Sequence, residues 1–344
     1  VCSEAWASLF FVAHTCFVPD AVGLLATGDT LVMDGRLLVF SGNANVDLAH
    51  EIAADLNMNL GRAIVGSFKN GETRIKIEDN VRGCDVFVVQ PTCPPVNHHL
   101  MELLLMIDAL RRASAARVTA VIPYYGYAKQ EKKTAGREPI SAKLVANLIC
   151  TAGADRILTI DLHAPAIEGF FDVPVDHLQA APLLAGYMSS LHLPDPVIVS
   201  PDAGGVGRAN RFRERIGAGL AILAKQRPEP DTAEMLEMVG EVEGRTAIIV
   251  DDMISTGSTL IEAAAMLRER GAKEVYAVAT HGVFSPDAVA SIGQSRLVET
   301  VVTNTIPQHD NHQQARISVI SVAPLFAEAI MRIHKDLSLS VLFS

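Results

Sequence analysis

From Arg36 onward, short apolar runs and amphipathic helical segments take turns along the chain, a rhythm that few folds accommodate. Arg36-Leu37-Leu38-Val39-Phe40 reads as a strand, Ser41-Gly42-Asn43 as a turn, and Asp47 to Leu56 as a helix. The β-branched density of Val86-Phe87-Val88-Val89 marks a buried strand. Leu100, Leu103, Leu104, Ile107 and Leu110 fall at the spacing of one helical face, which predicts a helix over 100–112. Val118 to Pro123 follows as a strand, 140–152 as a helix and Ile157 to Ile160 as a strand. The second half continues with strands at Val197-Val199, Leu220-Leu223, Ala247-Val250 and Val275-Val278. Such alternation predicts an α/β fold of mostly parallel sheets flanked by helices.

A chain of 344 residues has the length of two domains. A faint repeat points the same way: Gly153 to His163 aligns without gaps on Gly271 to His281, with three identities in eleven positions. Both stretches run from a Gly-Ala helix stop through a strand to a histidine. The expected division is an extension over 1–35, a first domain over 36–181 and a second over 182–344, where Ala181-Pro182 opens a helix.

Charge narrows the function. A formal net charge of −10 argues against a nucleic-acid binder or a polybasic membrane binder. Anionic substrates must then be met by local basic loops, helix N-termini or metal ions. Five cysteines without a C-x-x-C pair suit a reducing cytosol and predict a cytoplasmic protein. The apolar run Leu9 to Ala13 lacks a basic residue ahead of it, since Arg36 is the first in the chain, so it does not read as a secretory signal. His14 interrupts it before it could span a bilayer. Residues 1–33 read as a poorly ordered upstream extension, with Met33 as an alternative start.

The sharpest chemistry lies in Ala247-Ile248-Ile249-Val250-Asp251-Asp252-Met253-Ile254-Ser255-Thr256-Gly257-Ser258-Thr259, followed by a helix from Leu260 to Arg270. A buried strand ends in two carboxylates, and a tight hydroxyl-rich turn opens a helix. Such a turn aims free N–H groups and the helix dipole at an anion. Gly257 permits close approach of a phosphate. Asp251 and Asp252 can accept hydrogen bonds from a vicinal diol or hold a hydrated Mg²⁺. A diol on one side and a phosphate on the other describe a ribose 5-phosphate site. An ordinary capped βα turn is the plainer alternative, and no Walker A loop occurs, since the chain lacks Gly-Lys-Ser/Thr.

With this segment, Ser67-Phe68-Lys69-Asn70-Gly71-Glu72, Asn80-Val81-Arg82-Gly83, Met101-Glu102-Leu103-Leu104, Pro123-Tyr124-Tyr125-Gly126-Tyr127-Ala128, Asp161-Leu162-His163, Phe171-Asp172-Val173-Pro174, Ser200-Pro201-Asp202 and Ser321-Val322-Ala323-Pro324 complete a series. The chain from about residue 36 to 344 resembles the ribose-phosphate pyrophosphokinases, also called phosphoribosyl pyrophosphate synthetases. The resemblance implies two similar phosphoribosyltransferase-type domains, a homo-oligomer (a hexamer), Mg²⁺, and inorganic phosphate as activator. It implies transfer of pyrophosphate from Mg·ATP to the C1 hydroxyl of ribose 5-phosphate.

The same resemblance assigns residues. Phe68 would stack on adenine while Asn70, Gly71 and Glu72 bind the base, although the residues alone describe an Asn-Gly turn on a surface hairpin. Lys129, Gln130 and Lys132 would meet the triphosphate, although a solvated charged loop reads equally well. His163, which alone could be a buried structural histidine, would serve ATP and Mg²⁺, with Asp202 as its acidic partner. Lys225 and Arg227, in what otherwise reads as a flexible connection, would stabilise the transferring phosphorus. Ser255, Thr256, Gly257, Ser258 and Thr259 would hold ribose 5-phosphate together with Asp251 and Asp252.

Three departures stand out. The ATP loop carries Lys129 and Lys132 where the family favours arginine, which keeps charge but loses the planar, bidentate fork, so weaker ATP binding is expected. Gln226 and Glu229 lower the field of a usually more basic loop. Ser255 replaces a usual third aspartate and can serve neither as base nor as a carboxylate ligand. These departures motivate an alternative, a catalytically weak regulatory subunit of an active synthetase. A phosphoribosyltransferase acting on a base fits less well, given the duplication and the two ATP-loop segments.

Overall fold

The computed structural model describes residues 35–226, 235–308 and 315–342, so the N-terminal extension, Gly35 apart, lies outside the described residues. The first half runs β1 (Leu37–Ser41), α1 (Val46–Asp55), the hairpin β2 (Ala63–Ser67) and β3 (Thr73–Ile77), β4 (Asp85–Val89), α2 (Val96–Arg112), β5 (Arg117–Ile122), α3 (Ser141–Ala152), β6 (Arg156–Ile160) and β7 (Val175–Leu178). The second runs α4 (Ala181–Ser190), β8 (Pro196–Ser200), α5 (Val206–Ile216), β9 (Gly219–Gln226), β10 (Met235–Val239), β11 (Thr246–Ile254), α6 (Ser258–Glu269), β12 (Glu274–Gly282), α7 (Ala288–Gly293), β13 (Glu299–Thr303), β14 (Ile317–Ile320) and α8 (Ala323–His334).

Strands with helices on both faces need apolar side chains on both faces, and all five residues of β4 are buried. The first sheet is five-stranded, in the order β1-β4-β5-β6-β7. All its pairings are parallel. The second is seven-stranded, in the order β10-β9-β8-β11-β12-β13-β14, parallel throughout except for β10 against β9. Helix α3 stops at Gly153, whose φ of +108° is open to glycine at little cost. Helix α2 begins at Val96, earlier than its leucine spacing indicates, because Pro95 with its fixed φ precedes the first turn.

The two sheets repeat one topology, since β8-β11-β12-β13-β14 follows the order of β1-β4-β5-β6-β7. The register of the repeat expected from sequence is corrected, however. Residues 153–163 surround β6, whereas 271–281 surround β12, which occupies the place of β5. The two stretches share the local grammar of a helix stop followed by a buried strand, and that grammar recurs in every αβ unit. One apolar core also serves both sheets: Val39, Leu48 and Ile52 of the first half pack in the same cluster as Phe326, Ile330 and Ile333 of α8.

Candidate active site

The seven-stranded sheet changes winding direction between β8 and β11: the chain goes from β8 outward to β9 and β10, then returns to β11 on the other side. Ligands of open α/β sheets bind at the carboxyl ends of strands at such a switch point. Here a cavity of about 230 Å³ is lined by Lys129, His163, Asp202, Asp251, Asp252 and, from the turn, Ser255, Thr256, Gly257 and Thr259 but not Ser258. Asp202 follows β8, and the two adjacent aspartates lie within β11 near its end.

The turn has the geometry expected of an anion cradle. Gly257 takes a φ of +77°, a conformation that a side chain would strain, and α6 starts immediately after it. Gly257 has no side chain to cap the helix; the Ser258 N–H lies 3.5 Å from Thr256 Oγ1, and the N–H groups that follow in the first turn point to where a ligand would sit. Thr256 Oγ1 and Ser258 Oγ lie 3.0 Å apart at the same end. Ser255 is half-buried, and its carbonyl accepts from Ser285 N–H at 3.0 Å.

The carboxylates are held by groups from both halves. His163 Nδ1 meets Asp252 Oδ2 at 2.6 Å. Arg208 Nη1 lies 3.0 Å from Asp251 Oδ1 and 3.4 Å from Asp252 Oδ1. Burial works to raise Asp252, but the hydrogen bond from His163 and the charge of Arg208 hold its carboxyl well below the usual range. Burial, with Asp252 alongside, pushes Asp251 up to about 7. The bond to Asp252 raises His163 against its partial burial. A raised imidazole contributes stability below its unfolded value of about 6.5 and loses it as pH rises through the folded value; a depressed carboxyl contributes above about 4. The stability difference between wild type and His163→Ala in ligand-free protein is therefore expected to be largest between about pH 4 and 6.5 and to shrink toward alkaline pH. Urea unfolding across that range checks it; a difference that grows with alkalinity contradicts it.

The hairpin residues stand apart from this cavity. Phe68 is 51% exposed at the tip between β2 and β3, with the Arg74 guanidinium 5.8 Å over its ring. Asn70 Oδ1 accepts from Glu72 N–H at 3.2 Å across Gly71, which has a φ of +90°. Gln130 Oε1 accepts from Ser141 Oγ at 2.6 Å, tying the lysine loop to α3, and Lys132 pairs with Glu131 at 3.2 Å. Neither Gln130 nor Lys132 lines the cavity. Lys225 lies on β9, and Arg227 lies outside the described residues.

In the sequence Arg208 stands out only as the opening of a helix. Two adjacent buried carboxylates call for a cation, and the first turn of α5 after a Gly-rich bend is where one stands. For Mg²⁺ the donor chemistry fits in part. A hard cation takes one or two carboxylates and completes its shell with water and phosphate oxygens. Asp202 commits Oδ1 to Gly205 N–H at 2.7 Å, which leaves its other oxygen for a ligand. Among the described residues no group of three or more His, Cys, Asp or Glu forms a self-sufficient metal cage, as a substrate-bridged ion would require none.

These features define a phosphoribosyltransferase-type α/β protein. Residues 37–153 match the family model for the N-terminal domain of ribose phosphate pyrophosphokinase, and 224–344 match the phosphoribosyl synthetase-associated domain. Ribose-phosphate pyrophosphokinases of Oceanobacillus iheyensis and Bacillus subtilis are 52% and 51% identical, each over 90% of this chain and 98% of the relative. The crystal structure of the Mycobacterium smegmatis phosphoribosylpyrophosphate synthetase aligns with a TM-score of 0.83 at 44% identity, covering 88% of this chain and 99% of that one. The chain belongs to the ribose-phosphate pyrophosphokinase family.

Proposed function

We infer that this enzyme transfers pyrophosphate from Mg·ATP to the C1 hydroxyl of ribose 5-phosphate, giving phosphoribosyl pyrophosphate and AMP for nucleotide biosynthesis. The observation that carries the reading is the convergence of Asp251, Asp252, Ser255, Thr256, Gly257 and Thr259 with Lys129 and His163 on one cavity. The N–H groups in the first turn of α6, with Thr256, Ser258 and Thr259, hold the 5-phosphate. Asp251 and Asp252 accept from the ribose hydroxyls, and Arg208 keeps the two carboxylates from repelling each other. Phe68, Asn70, Gly71 and Glu72 receive adenine, while Lys129, Gln130 and Lys132 attract the triphosphate.

The C1 oxygen attacks the β-phosphorus in line and loses its proton as the new O–P bond forms. The bond from the β-phosphorus to the oxygen bridging it to the α-phosphorus breaks, and AMP leaves. Lys225 and Arg227 meet the charge gathered on the equatorial oxygens. Mg²⁺, held through Asp202 and His163, would neutralise phosphate charge when bound.

We further propose a homo-oligomer, a hexamer activated by inorganic phosphate and working in the cytoplasm, with the chain divided into units of 36–181 and 182–344. Ile140 at the cap of α3, with Leu144 and Leu148 along the helix, are exposed and give a second copy an apolar surface to cover. Among the described residues no helix is long and apolar enough to cross a membrane.

The test is production of AMP and phosphoribosyl pyrophosphate from ATP and ribose 5-phosphate, with Mg²⁺ and phosphate, for wild type beside Ser255→Asp. Turnover by wild type within about tenfold of Ser255→Asp is expected, because the anion cradle is built from N–H and hydroxyl donors. A silent wild type rescued by Ser255→Asp would mark a weak subunit, and silence of both would remove the reading.

A further inference from the structure

Behind His163 the two sheets meet through buried polar groups that the pyrophosphate transfer leaves unused. β6 ends at Ile160, and the next residue, Asp161, takes a φ of +42°, a left-handed conformation that aspartate adopts more readily than most L-residues and that bends the chain at the strand end. Two residues of β12, on the other sheet, grip it at side chain and backbone. Thr280 Oγ1 donates to Asp161 Oδ2 at 2.6 Å, and the same oxygen accepts from Ala180 N–H at 3.0 Å. His281 Nε2 lies 3.1 Å from the Asp161 carbonyl. A carbonyl can only accept, so Nε2 carries the ring proton. Burial pushes the His281 pKa down and keeps the ring neutral. Nδ1 is then left to accept from the Thr305 hydroxyl at 3.0 Å. Thr303 Oγ1 donates to the Thr280 carbonyl at 2.6 Å and braces the same strand from β13.

Thr280 and His281 are 3% and 2% exposed, at interior positions of a parallel strand where Val or Ile would pack without any polar obligation. What they hold is the bend that turns the chain toward the site. Leu162 N–H donates to His177 Nε2 at 2.8 Å, and His163 then reaches Asp252. On the other side of the junction His281 pairs in register with Met253, the neighbour of Asp252. One residue thus borders both ends of the His163–Asp252 contact.

We infer that Thr280 and His281 are positioning residues, which fix the bend at Asp161 and through it the placement of His163 against Asp252. Only the kinetic consequence rests on the pyrophosphate-transfer reading; the geometric one does not.

The experiment combines kinetics with crystal structures of His281→Leu, His281→Gln and Thr280→Val in the full chain. His281→Leu and Thr280→Val are expected to lower kcat about 100-fold, the scale of a misplaced reacting group. His281→Gln, which can still donate to the carbonyl, retains most of the turnover. In a His163→Ala background the same substitutions cost less than about threefold further, because the group they position is already gone. In the crystals, Asp161 leaves its left-handed conformation and the His163–Asp252 contact opens in the leucine and valine variants. Equal losses in both backgrounds, or an unchanged bend and contact in those variants, overturn the inference. A wild type without turnover instead removes the enzymatic reading, while the crystal comparison still decides the positioning role. Should His281→Leu not fold, Thr280→Val, which removes a single hydroxyl, decides the same question.

Discussion

Asp252→Asn is expected to lower kcat for pyrophosphate transfer by about 10³-fold while leaving the protein folded. The carboxylate is 4% exposed and carries a charge that two groups depend on. His163 loses the partner that raises it, and Arg208 is left with Asp251 alone as its counter-charge. The amide can still accept one hydrogen bond, so the loss falls on charge rather than on shape. Asp251→Asn should cost less, because burial and the neighbouring carboxylate push Asp251 up while Asp252 is held low, so the charge of the pair rests chiefly on Asp252. Steady-state assays of AMP release, varying each substrate, check both variants. Asp252→Asn with activity within tenfold of wild type would falsify the assignment of this carboxylate to the site.

The second large effect is on stability. Asp85→Ala is expected to cost about 3–5 kcal/mol, the range found when one partner of a buried ion pair is removed. Asp85 has no solvent exposure and stands at the start of β4. Arg117 grips it through Nε at 2.8 Å and Nη2 at 2.7 Å, and His334 Nδ1 lies 2.9 Å away. Arg117 Nη2 also donates to the Ile333 carbonyl at 2.9 Å, so one guanidinium ties the first sheet to the end of α8. Removing Asp85 leaves Arg117, whose side chain is only 15% exposed, without its main counter-charge. Urea unfolding of the ligand-free protein reads the loss directly. A change below about 1 kcal/mol would place the junction's strength elsewhere.

Much of this is legible in the order of residues. The strand at Ala247–Val250, the two aspartates that β11 carries on through to Ile254, and the turn to α6 are contiguous, so their geometry follows from local chemistry: β-branched density, a glycine that admits positive φ, and hydroxyls at a helix start. Lys129, His163 and Asp202 join them through the family resemblance, and they line the same cavity. Arg208 and His281 are harder. Their partners, Asp251 and the Asp161 carbonyl, lie 43 and 120 residues away, and no spacing rule connects positions brought together by strand pairing within one sheet, as for Arg208, or by the meeting of two sheets, as for His281. The repeat shows the opposite failure. Its short identities reflect how any helix hands over to a strand, while true equivalence is visible only in strand order.

The core shared by α1 and α8 has a consequence for synthesis on the ribosome. Asn45 Nδ2 donates to the Asn304 carbonyl at 2.8 Å across 259 residues, and Ser321 reaches Glu51 across 270. The inner face of α1, with Leu48 and Ile52, finds its cover only when Phe326 and Ile330 of α8 have emerged. The first sheet can pair its strands early, but its apolar flank must wait for α8. Non-local closure of this kind slows folding and prolongs exposure of sticky surface. A nascent chain stalled before α8 is accordingly the form of this protein with the greatest need of a chaperone.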